Sequence, residues 1–279
     1  MRDENRTLAG RTIIMSGGSR GIGLAIAVRA ARDGANVALI AKTDQPDPRL
    51  PGTIHTAAAE IEAAGGKALP IIGDVRDEDR VEAAVARTAE EFGGIDIVVN
   101  NASAIALQGV LDLPVKRYDL MLDINARGTF VLTKFALPHL LESSNPHVLT
   151  LSPPLNLDRK WLANHGPYTL SKYGMTMLTL GVAEDLKDRG VAANCLWPRT
   201  IIGTAAVQNL LGGDAAMARS RRPEVYADAA YEVLTRPAAE ATGNCYIAED
   251  VLQETGVEDF SQYRYGSATE DDLQVDLFV

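Results

Sequence analysis

The sequence predicts an α/β protein, folded as a single domain around a doubly wound parallel sheet. Two observations predict it. Short, almost wholly apolar runs alternate with longer amphipathic stretches from residue 12 to residue 197. Apolar runs without polar alternation belong to strands buried on both faces, as in a parallel sheet covered by helices. The second observation is a glycine-rich turn between the first apolar run and the first amphipathic stretch. Crossovers in such sheets are right-handed, which winds helices onto both faces.

The elements follow in order. Strands are expected at Thr12–Ser16, Asn36–Ala41, Ala68–Ile72, Ile95–Asn100, Val148–Ser152 and Val191–Trp197. Helices are expected at Gly21–Asp33, Thr53–Ala64, Asp77–Phe92, Pro114–Leu141 with an interruption near Gly128, and Tyr168–Arg189. Gly65-Gly66 and Gly93-Gly94 stop two of them, since glycine accepts the left-handed conformation that ends a helix. Thr43–Leu50, with two prolines, reads as a loop, and Gly212–Pro223 as a mobile stretch. Residues 1–279 form one unit, with 249–279 expected to be an irregular acidic C-terminal tail over the body or at a subunit contact.

The net charge of −10, with no Lys/Arg run, argues against a nucleic-acid partner. Met1–Ala9 is polar, without the apolar region of a secretory signal. No stretch reaches the roughly 18 apolar residues of a membrane span. A soluble, cytoplasmic protein without a membrane partner is expected. Cys195 and Cys245 lack metal spacing and read as buried thiols, so no metal is expected. His139, His147 and His165 have no common spacing and read as structural or exposed.

Ser16-Gly17-Gly18-Ser19-Arg20-Gly21-Ile22-Gly23 joins the first strand to the first helix. This is the Rossmann-type setting for a dinucleotide. Glycines let the backbone approach the pyrophosphate, and the helix N-terminus offers unpaired N–H groups and partial positive charge. The second strand ends Leu39-Ile40-Ala41-Lys42-Thr43, where an NAD site wants a carboxylate on the ribose hydroxyls. Lys42 and Arg20 suit a 2′-phosphate instead, so NADP(H) is preferred. Asp44, two residues beyond Lys42, keeps NAD(H) open.

The motifs, in this order, resemble the short-chain dehydrogenase/reductase family over roughly residues 8–248. SGGSRGIG is similar to its TGxxxGIG signature, with Ser16 in place of Thr. Asp74-Val75 resembles the acidic adenine contact. Asn100-Asn101-Ala102-Ser103 resembles NNAG, with Ser103 where Gly is usual. Asn125-Ala126-Arg127-Gly128 resembles the segment of the catalytic Asn, and Tyr168-Thr169-Leu170-Ser171-Lys172 is similar to YxxxK. Trp197-Pro198-Arg199-Thr200 sits where the family has a Pro-Gly turn near the nicotinamide. AKTDQPDPRLPGTIHTAA, LSPPLNL and YTLSKYGM resemble a hydroxysteroid dehydrogenase-like subgroup, some of whose members add a sterol-carrier domain that this chain is too short to hold.

The resemblance implies an alcohol/carbonyl oxidoreductase. Gly17, Ser19, Arg20, Gly21, Ile22, Gly23, Lys42, Asp74, Val75, Asn101, Ala102, Lys172, Pro198 and Thr200 would hold the cofactor. Tyr168 and Lys172, four residues apart, share a helix face. A free tyrosine has a pKa of about 10, and a nearby ammonium lowers it toward useful acid/base work. Asn125 would hold a relay water. Ser152 would hydrogen-bond the substrate oxygen. Ungapped strand alignment puts Pro153 in that slot instead, with Ser103 or Asn156 as substitute donors. Ala104, Leu107, Leu155, Leu157, Trp161, Trp197 and Ile201–Leu211 give largely apolar pocket walls, suited to an apolar alcohol or ketone. An NADP(H)-binding sensor or lipid-binding protein with little turnover is the alternative. The resemblance also implies a homodimer or homotetramer through the helices around Pro114–Leu141 and Tyr168–Arg189.

Overall fold

A computed structural model describes residues 6–47, 50–210 and 212–279. The parts of Met1–Ala9, Thr43–Leu50 and Ile201–Leu211 that fall on residues 1–5, 48–49 and 211 lie outside the described residues.

The strands are β1 (Thr12–Ser16), β2 (Asn36–Ala41), β3 (Lys67–Ile72), β4 (Ile97–Asn100), β5 (His147–Thr150), β6 (Ala192–Trp197) and β7 (Cys245–Ile247). They form one parallel sheet in the order β3-β2-β1-β4-β5-β6-β7. The order reverses between β1 and β4, so a crevice opens at the carboxyl ends of those strands.

The helices are α1 (Gly21–Ala31), α2 (Ile54–Ala63), α3 (Glu78–Phe92), α4 (Val115–Leu122), α5 (Gly128–Leu140), α6 (Arg159–Asp185), α7 (Ala205–Leu210), α8 (Gly213–Ala218), α9 (Glu224–Leu234) and α10 (Ala248–Glu254). Alternation along each strand feeds two cores. Ile13, Met15, Val37 and Leu39 pack with Ile26, Ile54, Val225 and Val251 on one face. Ile14, Ala38, Ile40 and Val98 pack with Val81, Val131 and Leu140 on the other. That is the doubly wound arrangement expected. Local signals set the helix ends. Thr53 and Thr56 make a reciprocal capping box at α2, Asp77 caps α3, and Gly93, at φ 83°, ends α3.

Several elements differ from expectation. The break near Gly128 is a π-helical turn, Asp123–Arg127, between α4 and α5. α6 starts nine residues earlier than Tyr168 and is kinked at His165 (φ −133°, ψ 23°), just before Pro167, which lacks the N–H to continue the ladder. β7 is too short to read as an apolar run. Cys245 on it lies in register with Cys195 on β6, and both thiols are free. Gly212–Pro223 holds α8, and Arg221 just beyond is 5 % exposed. Residues 249–254, expected to begin the irregular tail, are α10. Its Ala248, Val251 and Leu252 are buried against α9, which organises the segment.

Candidate active site

The crevice at the strand reversal holds a cavity of about 1010 Å³. Ser16 ties its floor together. Its hydroxyl accepts from the Asn101 and Ala102 amides, both at 3.1 Å, and its carbonyl accepts from Asn101 Nδ2 at 3.0 Å. Gly17, Gly18 and Gly21 have φ of 79°, 91° and 59°, which exclude most side chains. A Cβ at Gly17 would lie 2.5 Å from Asn101 Nδ2. Arg20, the residue before α1, makes no side-chain cap, so the first-turn N–H groups of α1 face the crevice uncapped. These features fit a dinucleotide pyrophosphate.

The expected cofactor residues largely converge here. Gly17, Ser19, Arg20, Gly21, Ile22, Lys42, Asp74, Val75, Asn101 and Ala102 all line the cavity. Gly23 supports it from behind, where a Cβ would meet Gly18 Cα at 2.8 Å. Asp74 accepts from Arg76 and pairs with Lys42 at 3.4 Å, and the Arg76 bond leads in lowering its carboxyl to about 2. Arg20 Nη2 donates to the Gly52 carbonyl at 3.1 Å, and burial lowers its pKa. Asp44 bonds His55 at 2.7 Å and does not line the cavity.

A second, inner cavity of about 200 Å³ shares Ile22, Asn101, Ser103, Ile105 and Thr204 with the first. Tyr168, Lys172 and Pro198 line it. One turn of α6 separates Tyr168 and Lys172, so both side chains reach the same space. Lys172 Nζ donates to the Leu151 carbonyl at 2.7 Å and sits 5.1 Å over the Trp197 ring. Burial brings its ammonium down to about 7, against the pull of Asp276. Tyr168 is not lowered as expected. Burial first, and then the Asp276 carboxylate, hold its phenol above the usual range.

Residues 11–214 match the family model described as short chain dehydrogenase. The chain belongs to the short-chain dehydrogenase/reductase family. Hydroxysteroid dehydrogenase-like protein 2 of Danio rerio is 56% identical over 256 residues, which are 92% of this chain and 61% of that protein. The human protein of that name is 52% identical, over 92% and 60% of the two chains. The chain thus spans about three-fifths of the length of these relatives. A solved short chain dehydrogenase from Mycobacterium thermoresistibile is 60% identical, with a TM-score of 0.92 over 98% of this chain and 96% of its own. A solved structure from Xanthomonas campestris is 55% identical, with a TM-score of 0.93 over 98% and 99%.

Family motifs and geometry part company at two positions. Ser152 is fully buried outside both cavities. Its hydroxyl accepts from Thr176 Oγ1 at 3.0 Å, behind the strand end, because β5 stops at Thr150 and the chain turns before the two prolines. Neither Pro153 nor Asn156 lines the inner cavity, whereas Ser103 does. Thr200 is the second departure. Its hydroxyl bonds Glu249 at 3.1 Å and it lines neither cavity, while Thr204 lines both. Glu249, from α10, also accepts from the Arg199 and Thr200 amides and pairs with Arg221 at 3.4 Å, which fixes the loop after β6. Asn125 is bonded on both sides of its side-chain amide. Its Oδ1 accepts from the Ala104 amide, and its Nδ2 donates to the Ala104 carbonyl and Ser171 Oγ. It clamps the π-helical turn against α6.

The pocket walls also shift. Leu155 and Leu157 are 45% and 72% exposed. Leu107 and Trp161 pack instead around Phe278, from the expected tail. Asp276, Leu277 and Phe278 are among the site residues that sequence reading missed, along with Ile105, Leu151 and Tyr226. The signal for the first three was an apolar triplet, Leu277-Phe278-Val279, after an acidic stretch. Of the histidines, His147 is buried and bonded to the Arg236 carbonyl, with a pKa lowered to about 4, and His165 bonds the Leu107 carbonyl. Among the described residues there is no group of three metal-ligating side chains, and no helix is long and apolar enough to cross a membrane.

Proposed function

We propose that the chain is an NADP(H)-dependent oxidoreductase that interconverts an alcohol and a carbonyl on a largely apolar substrate. The observation that carries this is the pair Tyr168–Lys172, facing one small cavity that opens directly onto the glycine turn. When bound, the nicotinamide supplies or accepts a hydride. Tyr168 exchanges the proton with the substrate oxygen. Lys172 holds the nicotinamide ribose, and its charge makes the phenolate accessible once a ligand displaces the packing over Tyr168. Leu151, Trp197 and Ile201 present apolar surface to the substrate.

NADP(H) is favoured over NAD(H) because Lys42 and the partly desolvated Arg20 line the adenosine end, while Asp44 is engaged by His55. A desolvated guanidinium gains most from a phosphate dianion. The same reading takes the protein as cytoplasmic and as a homodimer or homotetramer. The half-exposed Phe130, Leu170 and Met177 of α5 and α6 supply apolar surface for such a contact.

Tyr168→Phe tests the assignment. It should lower turnover by about 10³-fold while the NADPH dissociation constant stays within twofold. Full activity would defeat it. A second reading, an NADP(H)-binding sensor or lipid-binding protein with little turnover, is favoured by the Phe278 ring stacked over Tyr168, centroids 6.1 Å apart. NADPH binding without turnover over a broad carbonyl panel would select that reading.

A further inference from the structure

Asp276 lines the inner cavity together with Tyr168 and Lys172, and the reaction described above leaves its carboxyl unused. It is placed there by backbone contacts on both sides. The Ile201 amide donates to the Gln274 carbonyl at 2.9 Å, Val275 bridges Thr200, and the Asp276 amide donates to the Arg199 carbonyl at 3.0 Å. Beyond it, Trp197 Nε1 donates to the Leu277 carbonyl at 2.8 Å and Asn156 Nδ2 to the Phe278 carbonyl at 3.1 Å. Phe278 is 1% exposed, ringed by Trp161, Tyr168, Tyr173 and Trp197 at centroid distances of 5.3–6.1 Å. Its φ of 74° is one that a bulky residue holds only where its surroundings impose it. Residues 274–278 therefore form a strap that pins Asp276 at the cavity.

An oxygen that passes between carbonyl and hydroxyl gains from a second polar partner besides the acid/base. Ser152 does not supply one, since its hydroxyl lies outside the cavity, accepting from Thr176 and bonding Cys195. A carboxyl can serve in both directions, donating to a carbonyl when protonated and accepting from a hydroxyl when ionised.

We propose that Asp276 is a catalytic residue, hydrogen-bonding the substrate oxygen beside Tyr168 in the role that the Ser152 hydroxyl does not reach. This rests on the oxidoreductase reading. In reduction the substrate carbon takes the hydride, and its oxygen, gaining the former π pair, takes the Tyr168 proton. Asp276 keeps its own proton and changes no covalent bond. The titratable groups around it are Tyr168 and Lys172 of α6, Tyr226 of α9, Glu249 of α10 and, beyond Lys172, Cys195 of β6. Burial leads in raising the carboxyl to about 7, with Glu249 adding to it and the Leu277 amide and Lys172 opposing. Both protonation states are thus available near neutrality.

The test uses the full chain with NADPH and cyclohexanone or 2-octanone, and with NADP⁺ and the matching alcohols. Asp276→Ala should lower kcat by about 100-fold with NADPH affinity unchanged. Asp276→Asn keeps the shape and removes the anion beside Tyr168. It should move the acid limb of alcohol oxidation down by about one pH unit, because the phenolate then forms more readily. In cofactor-free protein, a neutral-pH transition in tryptophan fluorescence, reported by Trp197 through its bond to Leu277, should vanish in Asp276→Asn. If wild type turns over but both variants keep kcat within twofold and the acid limb in place, Asp276 is structural and the proposal falls alone. If wild type turns over nothing on the panel, the oxidoreductase reading falls and takes the proposal with it.

Discussion

The outer and inner cavities meet at Asn101 and Thr204, yet their walls are assembled in different ways. The floor of the outer cavity is made by turns that follow β1, β2, β3 and β4, each set by a few consecutive residues, while Arg117, Ile124 and residues 204–210 wall its side. Its glycines hold angles that the local sequence dictates, and the uncapped N–H groups of α1 face the crevice. The inner cavity draws on α6, the loop after β6 and residues 274–278, which only the completed fold brings together. The floor of the first is set by short-range geometry. In the second, Phe278 is stacked on Tyr168, and a buried carboxyl shares the space with Lys172. Binding of the cofactor and chemistry on it should therefore fail independently when each wall is disturbed.

Loss of Tyr168, argued above, is the largest effect expected on chemistry alone. The mirror experiment is Gly23→Ala. The added Cβ would meet Asn101 Nδ2 at 2.6 Å and Gly18 Cα at 2.8 Å, so the glycine turn must shift away from Asn101. Overpacking of this kind costs about 1–3 kcal/mol, and where it falls on binding the NADPH dissociation constant rises roughly 10- to 100-fold. Isothermal titration would measure it. Unchanged affinity would mean that the turn is less closely fitted to the cofactor than its contacts indicate.

The same contrast explains how much was legible in the sequence. Six of the seven strands could be read as apolar runs, five of them buried on both faces and β3, at the sheet edge, buried on one. β7, Cys245–Ile247, is three residues long and only partly buried, so it carries no such signature. The residues on the floor of the outer cavity were readable because their placement depends on near neighbours, the glycine turn above all. Thr200 and Thr204 could not be told apart, because the choice depends on Glu249, which reaches back from α10 to take the Thr200 hydroxyl. Asp276 was hidden for the same reason. Nothing near it in the chain says that Arg199 and Trp197 will hold this segment at the cavity that Tyr168 lines.

The cofactor preference sharpens the outer wall at a smaller scale. Lys42→Ala should raise the KM for NADPH by about 10-fold, as expected for one charge-assisted bond to a phosphate, and leave the KM for NADH within twofold. Lys42 also lies 3.4 Å from Asp74, so its removal leaves Asp74 to Arg76 alone. An equal rise for both cofactors would place the role of Lys42 in holding Asp74 rather than in meeting the 2′-phosphate.

The smallest effect is expected where the family motif and the geometry disagree. Ser152→Ala removes a hydroxyl that is fully buried and bonded to Thr176, and Thr176 keeps its 2.7 Å bond to the Pro153 carbonyl. The loss should be about 1 kcal/mol of stability, seen as a lower Tm, with kcat changed less than twofold. A serine that served the substrate oxygen would instead cost about 100-fold in kcat at unchanged Tm. That outcome would require the Ser152-Pro153 turn to rotate the hydroxyl from Thr176 into the inner cavity when substrate binds. The two measurements together therefore decide whether the reacting oxygen is met from β5 or from the strap that carries Asp276.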